Sequence, residues 1–248
     1  MTASIQVIDR AASLMDAIAS YEGPASLKLL SADTGLHPST AFRILAALVE
    51  TGFVERDAAS GYMLGRKLVH LAERVRHGVD IREQARDVME ALRDELGETV
   101  NLTVREGDEV IYIERLSPKR MMRVEQVIGS RAPLHVTAVG KLMLGELGDS
   151  FIQAYAKRTG LPPYTSHTFV QVTELLDVAH QAREAGYALD NQEAEEGVGC
   201  IGVPIYDGSG KIIAGLSVSA PIERRRDEWI ERLRQAGREL SWRLGYRG

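Results

Sequence analysis

Between Ser31 and Glu55 the chain reads SADTGLHPSTAFRILAALVETGFVE, and no other stretch limits the possible folds as strongly. Gly35 stops one short helix, and Pro38 stands where a proline costs a new helix nothing, because the N–H it lacks would have no intrahelical partner. Two helices therefore meet at a tight turn. In the second, Ala41, Ile44, Leu45 and Leu48 fall at i, i+3, i+4 and i+7 and form one apolar stripe. Ser39, Thr40, Phe42, Arg43 and Ala46 are left facing outward, with no acidic residue before Glu50. Such a face suits the major groove of DNA, where hydroxyls and arginine reach phosphates and base edges and apolar groups touch thymine methyls.

Short helix pairs joined at glycine also occur in proteins that never meet DNA, so the continuation decides. Phe53-Val54-Glu55-Arg56 is strand-like, residues 57–61 are turn-forming, and Tyr62-Met63-Leu64 is strand-like again, a hairpin directly after the reader helix. That is a winged helix-turn-helix. Ile5 to Ser20 supplies a bracing helix with Ile8, Ala11, Ala12, Met15, Ile18 and Ala19 at helical spacing, ending before Glu22-Gly23-Pro24, and Ser26 caps the next one. After the wing, Leu68 to His77 forms a linker helix, and Gly78 marks a boundary. The expected organisation is residues 1–65 as the DNA-binding domain, 66–77 as the linker helix and 78–248 as a second domain.

A chain of 248 residues exceeds the usual ~100–200 residues of one domain, which agrees with that division. The net charge of −5 excludes a protein coated in basic residues for sequence-blind nucleic-acid binding. Charges balance over residues 1–77, so the second domain carries the acidic excess. The single cysteine, Cys200, excludes an internal disulfide and a four-cysteine zinc site and suits a reducing compartment. No apolar run approaches the ~18 residues of a membrane span, and the first residues lack a signal-peptide pattern, so the expected location is cytoplasmic, without membrane contact.

The second domain opens with an amphipathic helix, Ile81 to Leu96, stopped by Gly97. Alternation then predicts strands at Val100 to Val104, Val110 to Leu116 and Arg120 to Val127. Phe151 to Arg158 and Val172 to Ala185 read as helices, Tyr187 to Asp190, Gly202 to Tyr206 and Lys211 to Ala220 as strands, and Glu228 to Leu244 as a closing helix. Antiparallel strands with helices packed around them make an α+β domain. Two stretches in it suggest a site. Residues 131–141, RAPLHVTAVGK, lead through Thr137 and small residues into a helix start, where free N–H groups and the helix dipole favour an anion, although an ordinary capped helix looks the same. Residues 190–204, DNQEAEEGVGCIGVP, place three glycines around Cys200, which lets a backbone pass close to something.

Taken together, GLHPSTAFRILAALVETGFVE, GYMLG, APLHVTAVGKLMLGE and ALDNQEAEEGVGCIGVPIYDGSGKIIAGLSVSAP resemble, in order and over essentially the whole chain, the IclR family of bacterial transcriptional regulators. The resemblance implies an α/β winged helix-turn-helix followed by a GAF-like α+β effector domain with an antiparallel sheet. It further implies that Asp190, Cys200, Ser217 and Ser219 line a pocket for a small carboxylate, with backbone donors from Thr137, Ala138 and Gly140. Ser217 and Ser219 are two apart on a strand, so both hydroxyls face one side, as a shared pocket requires. Leu134, Val136 and Val198 are expected as apolar walls. Gly202, where the family usually has alanine, and Leu29, where it often has an acidic residue, are departures outside that set.

Two other chemistries are open to the same residues. Cys200 could serve as a nucleophile with His135 or His167 as base, though no spacing orients a histidine on it. His70 and His77, seven apart on one helix, could bind a metal with Glu193, Glu195 and Glu196, although helix-surface histidines and glutamate runs are more often solvated. The expectation carried forward is a non-enzymatic, ligand-responsive regulator that needs neither cofactor nor metal. Its DNA contacts come from Ser39, Thr40, Phe42, Arg43, Arg56 and Lys67 on a pseudo-palindromic double-stranded operator, its effector is a small organic acid, and it is at least a homodimer, which the family resemblance allows to pair into a tetramer.

Overall fold

In the computed structural model, which describes residues 6–21, 23–58, 60–76 and 80–248, the chain divides into two compact units, Met1–Val79 and Asp80–Gly248. Of the positions singled out above, Ile5, Glu22, Ala59, His77 and Gly78 lie outside the described residues.

In the first unit α1 (Gln6–Ala19), α2 (Leu27–Thr34) and α3 (Pro38–Glu50) close around Leu14, Ile18, Leu30, Ala41 and Leu45. The Ser26 hydroxyl accepts the Leu29 N–H at the start of α2, and Gly35 ends it at φ 65°, a left-handed conformation that costs glycine little. Pro38 opens α3 as expected, but the cap before it is a histidine: His37 Nδ1 accepts the Ser39 N–H and lies 2.8 Å from the Ser39 hydroxyl. The wing consists of β1 (Val54–Arg56) and β2 (Tyr62–Leu64), paired antiparallel and followed by α4 (Lys67–Arg76). Tyr62 is buried beneath it, and its backbone exchanges two hydrogen bonds with Ala25, which ties the wing to the start of α2.

The second unit is three layers deep. α5 (Ile81–Leu96) leads into β3 (Thr99–Glu106), β4 (Glu109–Leu116) and β5 (Arg131–Pro133). Then come α6 (Ala138–Leu147), α7 (Asp149–Thr159), α8 (Val172–Ala185), β6 (Ala188–Asn191), β7 (Val198–Tyr206), β8 (Ile212–Pro221) and α9 (Trp229–Arg243). The strands form one antiparallel sheet in the order β5-β4-β3-β8-β7-β6. Alternation divides its faces. Val100, Leu102, Ile201, Val203, Leu216 and Val218 pack under α5 and α9, while Asn101, Thr103, Ser217 and Ser219 look to the other side, where α6 lies with α7 and α8 beyond it.

Two expectations need correction here. Arg120 to Val127 is not a strand. Its carbonyls are taken by side chains instead of a ladder: Arg224 Nη2 donates to Met122, Thr99 Oγ1 to Val124 and Arg115 to Gln126. Residues 117–130 thus run as an irregular strap, and hydropathy alternation alone could not reveal that its hydrogen bonds come from side chains distant in sequence. The strand read from Gly202 begins four residues earlier, at Val198, because Val198 to Ile201 pair with Val218 to Pro221 of β8. No helix among the described residues is long and apolar enough to cross a membrane.

α6 lies unusually close to the sheet, and glycines permit it. A Cβ on Gly202 would stand 3.0 Å from both the Ala138 Cβ and the Val139 nitrogen, and one on Gly215 would stand 2.1 Å from Val139 Cγ1. Gly215→Ala must therefore push α6 off the sheet, and an overpacking loss of about 1–3 kcal/mol is expected in chemical denaturation of the variant.

Candidate functional site

Under the N-terminus of α6 the sheet encloses a cavity of about 50 Å³. It is lined by Thr137, Ala138 and Val139 from α6, Asp190 from β6, Val198 and Cys200 from β7, and Ser217 and Ser219 from β8. Thr137 caps the helix with its hydroxyl, which accepts the Gly140 N–H at 3.0 Å. That bond removes Gly140 from the donor set expected of it, and Gly140 packs against the Leu134 carbonyl instead of lining the cavity. The N–H groups of Ala138 and Val139, in the first turn, have no acceptor among the described residues. Leu134 and Val136 are buried but do not line the cavity, because the short 3-10 turn over Leu134–Val136 directs Leu134 into the core around Tyr155 and Leu175.

Across the cavity floor a hydrogen-bonded row follows the strand register, which places Asp190, Cys200, Ser219 and Thr99 opposite one another. Cys200 Sγ is 3.1 Å from Ser219 Oγ, which also accepts from Asn101 Nδ2 at 3.1 Å. Ser217 Oγ has no partner among the described residues. Asp190 is 2% exposed and its Oδ1 accepts the Glu193 N–H at 2.8 Å. Burial pushes the Asp190 carboxyl above its ordinary range, and the nearby Lys141 ammonium opposes this.

That lysine is the residue that sequence reasoning passed over. Lys141 on α6 and Glu193 after β6 form an ion pair with side chains 4% and 2% exposed. Glu193 was expected in a solvated acidic loop. It is instead anchored from both ends, with its carboxylate accepting the Asn191 N–H and its carbonyl accepting the Thr168 hydroxyl at 2.7 Å. Glu195 and Glu196 are the exposed ones, although Glu195 reaches the cavity rim. Thr103, Val110, Tyr112, Gln126 and Ala194 also line the cavity. Strand alternation could have found Thr103 and Tyr112; Gln126 sits on the strap and carried no signal.

On the first unit Phe42 and Arg43 are exposed on α3, and Arg43 has no partner among the described residues. Thr40 is half-buried beside it, and Ser39 belongs to the His37 cap. Arg56 and Lys67 are less free than expected. The Arg56 guanidinium lies over the Tyr62 ring, and Lys67 Nζ donates to the Thr51 carbonyl at the end of α3 while lying 4.4 Å from the Phe53 ring centre. Arg43 is thus the freest cation of the predicted reader face.

Residues 7–58 match the IclR helix-turn-helix domain, and residues 73–242 match the C-terminal domain of the bacterial transcriptional regulator IclR. The chain belongs to the IclR family. Among its relatives, this IclR-family chain is 33% identical to the transcriptional regulator XynR of Escherichia coli K12, over 98% of each chain. It is also 33% identical to the transcriptional repressor AllR of the same strain, over 97% of this chain and 90% of AllR. Its fold superposes on the Agobacterium tumefaciens repressor BlcR with a TM-score of 0.73 at 29% identity, covering 98% of both. An IclR homologue from Microbacterium hydrocarbonoxydans, solved with 4-hydroxybenzoate, gives 0.63 at 25% identity over 96% of this chain and 98% of that one. The family consists of DNA-binding transcriptional regulators, and this chain is one by membership.

The geometry does not bring His135 or His167 to Cys200 as a base. Both His135 ring nitrogens are engaged, Nδ1 with the Tyr155 hydroxyl at 2.7 Å and Nε2 with the Pro162 carbonyl at 3.1 Å, and burial lowers its basicity. His167 is exposed and lines no part of the cavity. Burial beside Asp190 pushes the Cys200 thiol well above its usual range, so the thiolate that a nucleophile requires is suppressed. Among the described residues no group of His, Cys, Asp and Glu could hold a metal ion, and His77 of the suggested pair lies outside them. Because a raised thiol pKa lowers the thiolate fraction at every pH below it, iodoacetamide should label Cys200 far more slowly than free cysteine at pH 8. Mass spectrometry of the labelled chain, repeated after unfolding to expose the residue, checks this.

Proposed function

We propose that this chain is a cytoplasmic, effector-responsive regulator that reads DNA through α3 as a two-fold homodimer, with a small hydroxyl-bearing or hydrated organic acid as its signal. One winged domain offers a single reader helix, whereas a dimer reads two half-sites and calls for a pseudo-palindromic operator, which supports the oligomer; pairing of such dimers into a tetramer is compatible with it. Arg43, free on the outer face of α3, would reach base edges, with Ser39, Thr40 and Phe42 beside it, while Arg56 and Lys67 would meet phosphates from their anchored positions. Arg43→Ala is expected to weaken operator binding by about 1–3 kcal/mol and relax sequence preference, and Arg56→Ala to weaken it uniformly across sequences. Fluorescence titrations with operator and scrambled duplexes measure both; normal binding by Arg43→Ala would overturn the reader assignment.

The observation that carries the effector reading is the enclosed cavity itself, with two unpaired N–H groups at a helix start, the Ser217 hydroxyl and a buried carboxyl on its walls. A carboxylate fits the N–H groups of Ala138 and Val139 through charge-assisted bonds and the helix dipole. An ionised Asp190 would repel a plain anion and a protonated one would not, so a ligand that offers the ionised carboxylate a hydroxyl proton is favoured. The 4-hydroxybenzoate bound by the Microbacterium homologue carries both a carboxylate and a hydroxyl. Here about 50 Å³ leaves room for roughly three to five water-sized groups, which favours a short aliphatic acid over an aromatic one. Effector binding would bias the dimer between operator-competent and incompetent spacings, with α4 in the connection. Calorimetry against short organic acids should find one that binds, with Asp190→Ala and Ser217→Ala each weakening it at least tenfold. If both variants bound it as wild type does, the pocket would have been misread while the DNA-binding role stood.

A further inference from the structure

Two residues without an assigned role also line the cavity, Tyr112 and Gln126. Tyr112 lies on β4 and is fixed by its own backbone: its N–H donates to the Ser130 carbonyl at 3.1 Å, and its carbonyl accepts the Gly129 N–H at 2.7 Å. These bonds tie the end of the strap to the sheet beside the cavity. The phenol hydrogen-bonds to no described residue, although Tyr112 lines the cavity. Burial pushes its pKa upward, with Cys200 and Asp190 nearby adding to the shift, so it remains a neutral hydroxyl able to donate. Gln126, on the strap, lines the same cavity, and its Oε1 is buried without a partner. A buried acceptor left unpaired costs free energy that only a donor placed there can recover.

A phenol and a buried unpaired amide oxygen on a ~50 Å³ cavity make a filter. We propose that Tyr112 and Gln126 determine effector specificity: the Tyr112 ring limits the ligand to a short chain and excludes aromatic acids, while its hydroxyl and the Gln126 oxygen require a hydroxyl on that chain. This rests on the acid reading of the cavity. A site built to hydrogen-bond a hydroxyl rejects the analogue lacking it, because the site's own polar groups are then left unpaired, whereas an apolar wall separates ligands only by size. The tyrosine supplies both kinds of discrimination, and different substitutions separate them.

The test is calorimetry on the full-length chain with acetate, glycolate and 4-hydroxybenzoate as probes. Wild type is expected to bind glycolate at least tenfold more tightly than acetate and to take no 4-hydroxybenzoate. Tyr112→Phe, which preserves volume, and Gln126→Leu should each reduce the glycolate-to-acetate ratio at least threefold and still exclude the aromatic acid. Tyr112→Ala should admit 4-hydroxybenzoate; should that variant fail to fold by thermal melting, the other two decide. Wild-type binding of 4-hydroxybenzoate, or an unchanged glycolate preference in Tyr112→Phe and Gln126→Leu, overturns the proposal. If Ser217→Ala abolishes glycolate binding in that second case, the acid reading survives without the filter. Failure of the wild type to bind either aliphatic acid overturns the filter, and the acid reading falls with it when no acid of the wider panel binds.

Discussion

One ammonium and two carboxyls are buried together beside the cavity, and its wall at Asp190 depends on that arrangement. Lys141, Glu193 and Asp190 are each almost fully buried, and burial pushes both carboxyls upward while the single lysine holds them down. Taking an ion out of water carries a penalty of several kcal/mol, which is offset only where the geometry is good and the remaining lone pairs are satisfied. Here they are: Glu193 accepts the Asn191 N–H, Asp190 accepts the Glu193 N–H, and the Glu193 carbonyl receives the Thr168 hydroxyl. The turn after β6 is therefore locked to the first turns of α6. The same contacts hold Asp190 at the cavity wall.

Close packing supplies the other constraint. α6 lies against the sheet, and glycine at position 215, where a Cβ would stand 2.1 Å from Val139 Cγ1, leaves that distance open. The helix start and the polar row from Asp190 through Cys200 to Ser219 are thereby brought to one small volume. An anion held there would touch α6, β6, β7 and β8 together, so a ligand only a few atoms across can bias the arrangement of several elements.

The two units use their cations in contrasting ways. In the effector unit Lys141 is neutralised inside the fold, whereas on α3 Arg43 is left free. Lys67 and Arg56 stand between these cases: Lys67 fastens the end of α3 through the Thr51 carbonyl, and Arg56 lies over Tyr62 within the wing, while both remain at the surface. With its end held by Lys67, α3 would present its outer face at a fixed orientation, as the proposed sequence-selective contact requires.

Much of this was legible in the chain. Gly35 and Pro38 mark the turn between α2 and α3, the apolar stripe of Ala41 and Leu45 sets which face of α3 is outward, and alternation puts Ser217 and Ser219 on one side of β8. Those features are local, governed by backbone conformation and by periods of 3.6 and 2 residues. The tertiary structure alone decided the pairing of Lys141 with Glu193, the burial of the Leu134 and Val136 side chains away from the cavity, the loss of the Gly140 N–H to Thr137, and the strap that brings Gln126 to the wall. Each joins groups through burial, desolvation or side-chain hydrogen bonds across the fold. Residue periodicity records which face a side chain takes but not which distant partner it meets there.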